Sequence, residues 1–236
     1  PIFYFARRNS SNLRLGKAEF DTRALAKAFT NGISEFVGNI SMSVVGMLYN
    51  LQLLRYAGEN GMASFGVIMY VSWIFGSAFV GYSIGSESLV GYHFGAQNKP
   101  ELKNLLSKSL SLIALAGASM CIFAEAFAPL LARVFVGYDA GLTSMTVHGF
   151  RIVAVSFAFM GFGIYISGFF TGLNDGVTSA VISFVRTMIF ECGAILLLPR
   201  LLGLEGIWIS VAAGELMSVA LGFLFLAVKN KKYGYA

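Results

Sequence analysis

The chain is poor in charge. Asp, Glu, Lys and Arg make up 12% of its 236 residues, where a soluble domain carries about 25%. Cysteine is nearly absent: Cys121 and Cys192 lie far apart in apolar runs, which excludes a disulfide framework and a thiolate metal site and leaves both as small packing residues. The four prolines, Pro1, Pro100, Pro129 and Pro199, stand at or near the ends of apolar runs, so no proline kink is expected in mid-span. Two histidines, His93 and His148, fall near run ends without a second metal-type ligand close in sequence. No P-loop, H-E-x-x-H or G-x-S-x-G pattern occurs, and an enzyme reading or a bound cofactor finds no support. Low-complexity runs and soluble-domain patterns are missing as well.

Long apolar runs are what the chain does have. It is 56% hydrophobic, with a mean hydropathy of +0.71. Six runs reach the roughly 20 residues that a helix needs to cross a bilayer: Leu25–Tyr56, Met62–Phe94, Leu102–Val136, Phe150–Leu173, Val177–Pro199 and Gly206–Val228. Lipid cannot satisfy an open strand edge, and period-two alternation is lacking, so these are helices. The expected fold class is all-α, a polytopic bundle of six transmembrane helices. Residues 1–24 read as a linker with an interfacial segment around 16–28, 25–228 as the membrane body and 229–236 as a tail. Pro1 replaces an initiator methionine, and Phe3-Tyr4-Phe5 before Arg7-Arg8 resembles the end of an earlier span, so a longer protein is expected.

The net charge of +5 is not spread as a nucleic-acid footprint. Arg7, Arg8, Arg14, Lys17, Arg23 and Lys27 precede or open the first run, Lys99, Lys103 and Lys108 lie between the second run and the start of the third, and Lys229, Lys231 and Lys232 close the chain. The other connections hold only Arg55, Arg133, Arg151 and Arg200, and Arg186 lies within a run. This asymmetry places both ends on the cytoplasmic side of a cell membrane.

Charge inside the runs is where chemistry is sought, because a central ionised side chain costs roughly 2.5–3.5 kcal/mol on insertion scales. Glu35 lies two to three turns into the first run beside Ser34 and four residues before Asn39. Glu87 lies near the end of the second, with Ser83 and Ser86 as local hydroxyls. Both are candidate sites for a coupling proton or cation. Arg186, Glu191 and Glu215 occupy the last two runs. Five residues put Arg186 and Glu191 about 140° apart on an α-helix, so an interhelical Arg186–Glu215 pair, structural or coupling, is favoured. Glu125 reads as an interfacial charge. Asn39, Tyr49, Met160 and Tyr165 are candidates for a substrate cavity, since rings and thioethers suit amphipathic organic cations. Glycine pairs four apart, such as Gly168/Gly172, are too common among 27 glycines to mark a dimer and instead indicate close helix packing.

Four motifs, in order, resemble the C-terminal half of a multidrug and toxic compound extrusion (MATE) transporter. They are Asn31-Gly-Ile-Ser-Glu35, Gly91-Tyr-His-Phe-Gly-Ala-Gln-Asn98, Ser167-Gly-Phe-Phe-Thr-Gly-Leu-Asn-Asp175 and Leu204-Glu-Gly-Ile-Trp208. The resemblance implies one lobe of a twelve-helix transporter, partnered by an N-terminal six-helix lobe and exporting small molecules against an inward flow of H+ or Na+. It matches Glu35 to the seventh-helix carboxylate that helps bind the coupling cation in sodium-coupled members. Those members add an aspartate within the tenth helix; Phe157–Phe162 here has no acid, and Met160 stands about where it would be. Many members also have glutamine at the place of Glu87 and proline at that of Ser88. The alternatives are a lipid-linked oligosaccharide flippase of the same superfamily and a membrane protein that transports nothing.

Overall fold

The computed structural model describes residues 21–235, apart from the side chains of Ala24, Thr30, Asn31, Ser34, Glu35 and Val37. Most of the expected linker and interfacial segment, and the carboxylate of Glu35, therefore lie outside the described residues.

The first helical stretch, Thr22–Gly95, breaks at Gly58, whose φ of 63° and ψ of −153° are non-helical. A positive φ of this kind is open to glycine without a Cβ penalty. The break makes two helices, α1 (22–57) and α2 (59–95), and the chain folds back between them. Tyr49 and Phe65 stack with ring centroids 4.8 Å apart, although sixteen residues of straight helix would separate them by about 24 Å. There follow α3 (Lys99–Val136), α4 (Ala140–Ala154), α5 (Phe157–Gly172), α6 (Gly176–Phe184), a π-helical turn (Val185–Glu191), α7 (Cys192–Leu202) and α8 (Leu204–Tyr233). Among the described residues no strand occurs.

Four continuous stretches are long and apolar enough to cross a bilayer, and the bent pair α4–α5 makes a fifth. The first of the four contains the fold-back at Gly58, and counting its two arms separately gives six helical passes among the described residues. Their limits agree with the apolar runs, with one change. The fourth crossing begins at Ala140 rather than near Phe150 and bends by 48° after Ala154. No proline causes the bend. Ser156 sits at it, and α3 comes so close through Gly117 that a Cβ there would stand 2.8 Å from the carbonyl oxygen of Phe157. Pro129 lies inside α3, which continues past it.

Local chemistry sets the turns. Asn98, Asp139 and Asp175 cap α3, α4 and α6 by accepting from the backbone N–H of Glu101, Leu142 and Thr178, as short polar side chains do at helix starts. The turns Gly95-Ala-Gln-Asn98 and Gly172-Leu-Asn-Asp175 repeat one design. Gln97 and Asn174 are left-handed, at φ 53° and 58°. In each turn the capping residue's N–H donates five residues back, Asn98 to His93 and Asp175 to Phe170.

Among the described residues the interior has two large clusters and a small third one of Val67, Ala132, Val136 and Leu142. Val45, Tyr49, Leu53, Phe65, Phe150, Phe157 and Trp208 form the first. Phe79, Val90, Leu106, Tyr165, Phe169, Phe170 and Tyr235 form the second. Met120 and Met160 touch both large clusters. The outer surface is equally apolar, with Leu115, Ile122, Val134 and Leu201 exposed, as lipid contact requires.

Candidate functional site

Near the midpoint of the Gly176–Leu202 crossing the α-helical pattern gives way to the π turn. Such a turn hydrogen-bonds five residues apart, so side chains five apart return toward one face. Arg186 and Glu191, about 140° apart on a regular helix, are thereby drawn together, and each lies within electrostatic reach of the other. The expected angular separation does not apply here, because the extra residue per turn removes it.

The ion pair itself is interhelical. Arg186 Nη2 donates to Glu215 Oε1 at 2.6 Å, and Nε donates to Oε2 at 3.2 Å. This fork uses both carboxylate oxygens, the strong geometry for arginine. Glu215 is 4% exposed and Arg186 18%. Two glycines make room. A Cβ on Gly163 of α5 would stand 3.3 Å from Arg186 Cδ and 2.6 Å from Ser218 Oγ, and one on Gly214 of α8 would stand 2.9 Å from Glu191 Cγ. Among the described residues Glu191 forms no ion pair. Beside the cluster, Tyr49 donates to Ser210 Oγ at 2.8 Å, while Ser210 donates to the Ile207 carbonyl.

Glu87 belongs elsewhere. Its Oε1 lies 2.8 Å from where a Cβ on Gly168 would stand, on the α2 side of α5, whereas Arg186 crosses α5 at Gly163. Ser83 donates to the Ile164 carbonyl and Ser86 to that of Ser83. The candidate cavity residues do not converge. Asn39 is exposed on α1, Tyr49 is buried in the first cluster and Tyr165 in the second, and Met160 packs between them with its sulfur 3.5 Å from a Cβ position at Gly76. Glu125 is half-exposed, 3.9 Å from Arg151. Among the described residues no three His, Cys, Asp or Glu side chains gather to hold a metal ion.

The tail carries a feature that sequence reasoning missed. Asp175 Oδ2 accepts from the Tyr233 hydroxyl at 2.7 Å and from Lys229 Nζ at 3.3 Å, with Lys232 Nζ at 3.9 Å. Burial opposes the charge of Asp175, yet the hydrogen bonds from Tyr233, Thr178 and Lys229 together hold its carboxyl down at about 2. Burial, followed by the hydrogen bond to Asp175, pushes the Tyr233 phenol up. Tyr235 is buried, donating to the Leu226 carbonyl with its ring edge on Phe169. The available signal was Asp175 at the helix-capping place of a Gly-Leu-Asn-Asp turn. Nothing local pointed to its partners 54 and 58 residues away.

The MatE family model matches residues 36–193, two thirds of the chain. The chain belongs to the MatE family. Its fold is that of MATE transporters of known structure. It is similar to a MATE in complex with MaL6 at a TM-score of 0.91 and 19% identity, covering 100% of this chain and 54% of that one. It is similar to an outward-facing multidrug resistance MATE transporter of the MOP superfamily at 0.90 and 20%, covering 100% and 53%. The inward-facing conformation of such a transporter matches at 0.81 and 21%, covering 99% and 54%. This MATE chain thus spans about half the length of the structures it matches, as one lobe of a two-lobe transporter does. No curated protein matches it. The family and the apolar crossings make it a multi-pass membrane protein of a transporter fold rather than an enzyme fold.

Proposed function

We propose that this chain is the C-terminal lobe of a secondary antiporter that exports drugs or organic cations in exchange for H+ or Na+ by alternating access. It works with an N-terminal six-helix lobe, and the substrate passes between the two. Residues 1–24 link the lobes, 25–228 form the membrane lobe and 229–236 its tail, both ends facing the cytosol at the plasma membrane. We assign it no enzymatic step and no cofactor beyond the coupling ion.

The observation that supports coupling is charge at bilayer depth in a MATE fold. A buried Arg186–Glu215 fork with Glu191 beside it is expensive to insert, and intramembrane ionisable groups mark ion paths. Glu35 and Glu87 are the coupling carboxylates, Glu35 first. Ion binding there biases the inward–outward equilibrium through a difference in affinity between the two states. We assign Asn39, Tyr49, Met160 and Tyr165 to the substrate side, at separate places along the lobe. Glu35→Gln is expected to abolish ion-driven efflux from cells or proteoliposomes while the protein still inserts. Undiminished drug resistance with that variant overturns the assignment.

A further inference from the structure

We propose that Glu191 is a proton-binding carboxylate of this lobe, distinct from Glu35 and Glu87, and that Arg186–Glu215 is the fixed pair against which it changes charge. The use of the proton rests on the transport reading; its binding does not.

Charge counting comes first. Two carboxylates face one guanidinium at mid-span, and the fork spends Arg186 Nε and Nη2 on Glu215. Glu191 is left as the second negative charge, without an ion pair among the described residues. A proton on one of its carboxylate oxygens brings the cluster to neutrality, and the same oxygen releases it. A metal cation is a poorer occupant, because the guanidinium repels it and, among the described residues, no three His, Cys, Asp or Glu side chains are placed to hold one.

The setting is built for this group. The π turn swings Glu191 onto the face of Arg186, and Gly214 admits its stem. Ser218 is fully buried, and its hydroxyl has no partner among the described residues; it lies against Arg186 over Gly163. Ser210, Gly214 and Ser218, four residues apart, form one polar stripe along α8 over about 12 Å of helix rise. The titratable and charged groups that face Glu191 are Arg186 from its own turn, Glu215 from α8, Tyr49 from α1 and the adjacent Cys192. Ionised Glu191 competes with Glu215 for the guanidinium, and protonated Glu191 does not. Proton binding therefore tightens the fork and changes the balance that holds the π turn, a differential interaction of the kind a coupled transporter needs.

The test is pH-difference infrared spectroscopy of the full-length transporter in lipid. The wild type is expected to show a carbonyl band of a protonated buried carboxyl that disappears as pH rises. Glu191→Gln removes that band, while Glu35→Gln and Glu87→Gln keep it. Glu215→Gln hands the guanidinium to Glu191 and moves the band's midpoint down by about one pH unit or more. If Glu191→Gln does not accumulate, Glu191→Asp carries the test, retaining the band at a shifted midpoint. A band that survives Glu191→Gln, one that Glu215→Gln leaves in place, or one removed by sodium at constant pH overturns the inference. Loss of efflux in Glu35→Gln together with a band untouched in Glu191→Gln leaves the transport reading standing and this inference refuted.

Discussion

The Tyr233 hydroxyl donates a 2.7 Å hydrogen bond to Asp175 Oδ2, tying the end of α8 to the turn between α5 and α6. One carboxylate thus caps α6, pairs with Lys229 and anchors the tail. Lys99 closes the same end, its Cδ 3.0 Å from a Cβ position at Gly234, and Phe94 meets the Tyr233 ring. The two like-shaped turns, 95–98 and 172–175, are held together by the last residues of the chain.

Removing that bond has a defined cost. A hydrogen bond to a charged group is worth about 1.5–3 kcal/mol, so Tyr233→Phe is expected to lower the thermal midpoint of the full-length protein in detergent, and Asp175→Ala to lower it further by also removing the cap. The pH dependence follows from the depressed carboxyl of Asp175. Its ordinary value is 3.8 and its folded value about 2, so its stabilisation is fully present above pH 4 and fades as pH falls through the folded value. That difference amounts to about 2 kcal/mol. An acid melting series checks it: wild type loses stability between about pH 4 and 2, and Asp175→Asn flattens that part of the curve. Tyr233 acts at the other limit. Its phenol is pushed up from 10.0, so its contribution is intact below pH 10 and declines as pH rises above it.

The two ends of the buried fork are expected to respond unequally. Breaking a buried pair by removing one partner costs about 3–5 kcal/mol. Arg186→Met leaves two carboxylates without a cation and takes the full penalty. Glu215→Gln leaves Arg186 beside Glu191, which then serves as its counter-charge, and the loss is smaller. Melting of the two variants in detergent decides this, with Arg186→Met the less stable. Equal losses would mean that Glu191 is too far away to replace Glu215.

The glycines separate into two kinds. At Gly58 the backbone is strained for any other residue, yet a Cβ there meets nothing within 4 Å. Gly58→Ala and Gly58→Val should therefore both lose roughly 1–3 kcal/mol through backbone strain, with no added cost from packing. At Gly168 the neighbours are the Ser83 hydroxyl and Glu87 Oε1, so cost grows with side-chain size. Gly168→Ala should lose about 1–3 kcal/mol by overpacking, and Gly168→Val more. Ser83→Gly combined with Gly168→Ala is expected to recover part of the loss in melting temperature. A size-independent effect at Gly168 would show that α2 and α5 can move apart there.

Much of the fold was legible because membrane insertion reads composition and length. All six helical passes, the break near Gly58 and the lysine-rich end follow from apolar runs and from where charge interrupts them. The Arg186–Glu215 pair was legible by elimination, since a central arginine needs a carboxylate at similar depth. The roles of Gly163, Gly168, Gly214 and Ser218 were not. Neither was the convergence of Lys229, Tyr233 and Asp175.

What the sequence determined by itself is the part that lipid and local backbone chemistry dictate: helix rather than strand, and where the helices start and stop, apart from the early start of the fourth crossing at Ala140. Only the tertiary structure decided which face meets which. In a bilayer both the surroundings and the interior are apolar, so no amphipathic stripe marks the packed side. The faces were chosen instead by where glycines let helices touch and by a π turn that moves Glu191 to the side of Arg186. That one added residue per turn gives the lobe two carboxylates for one guanidinium.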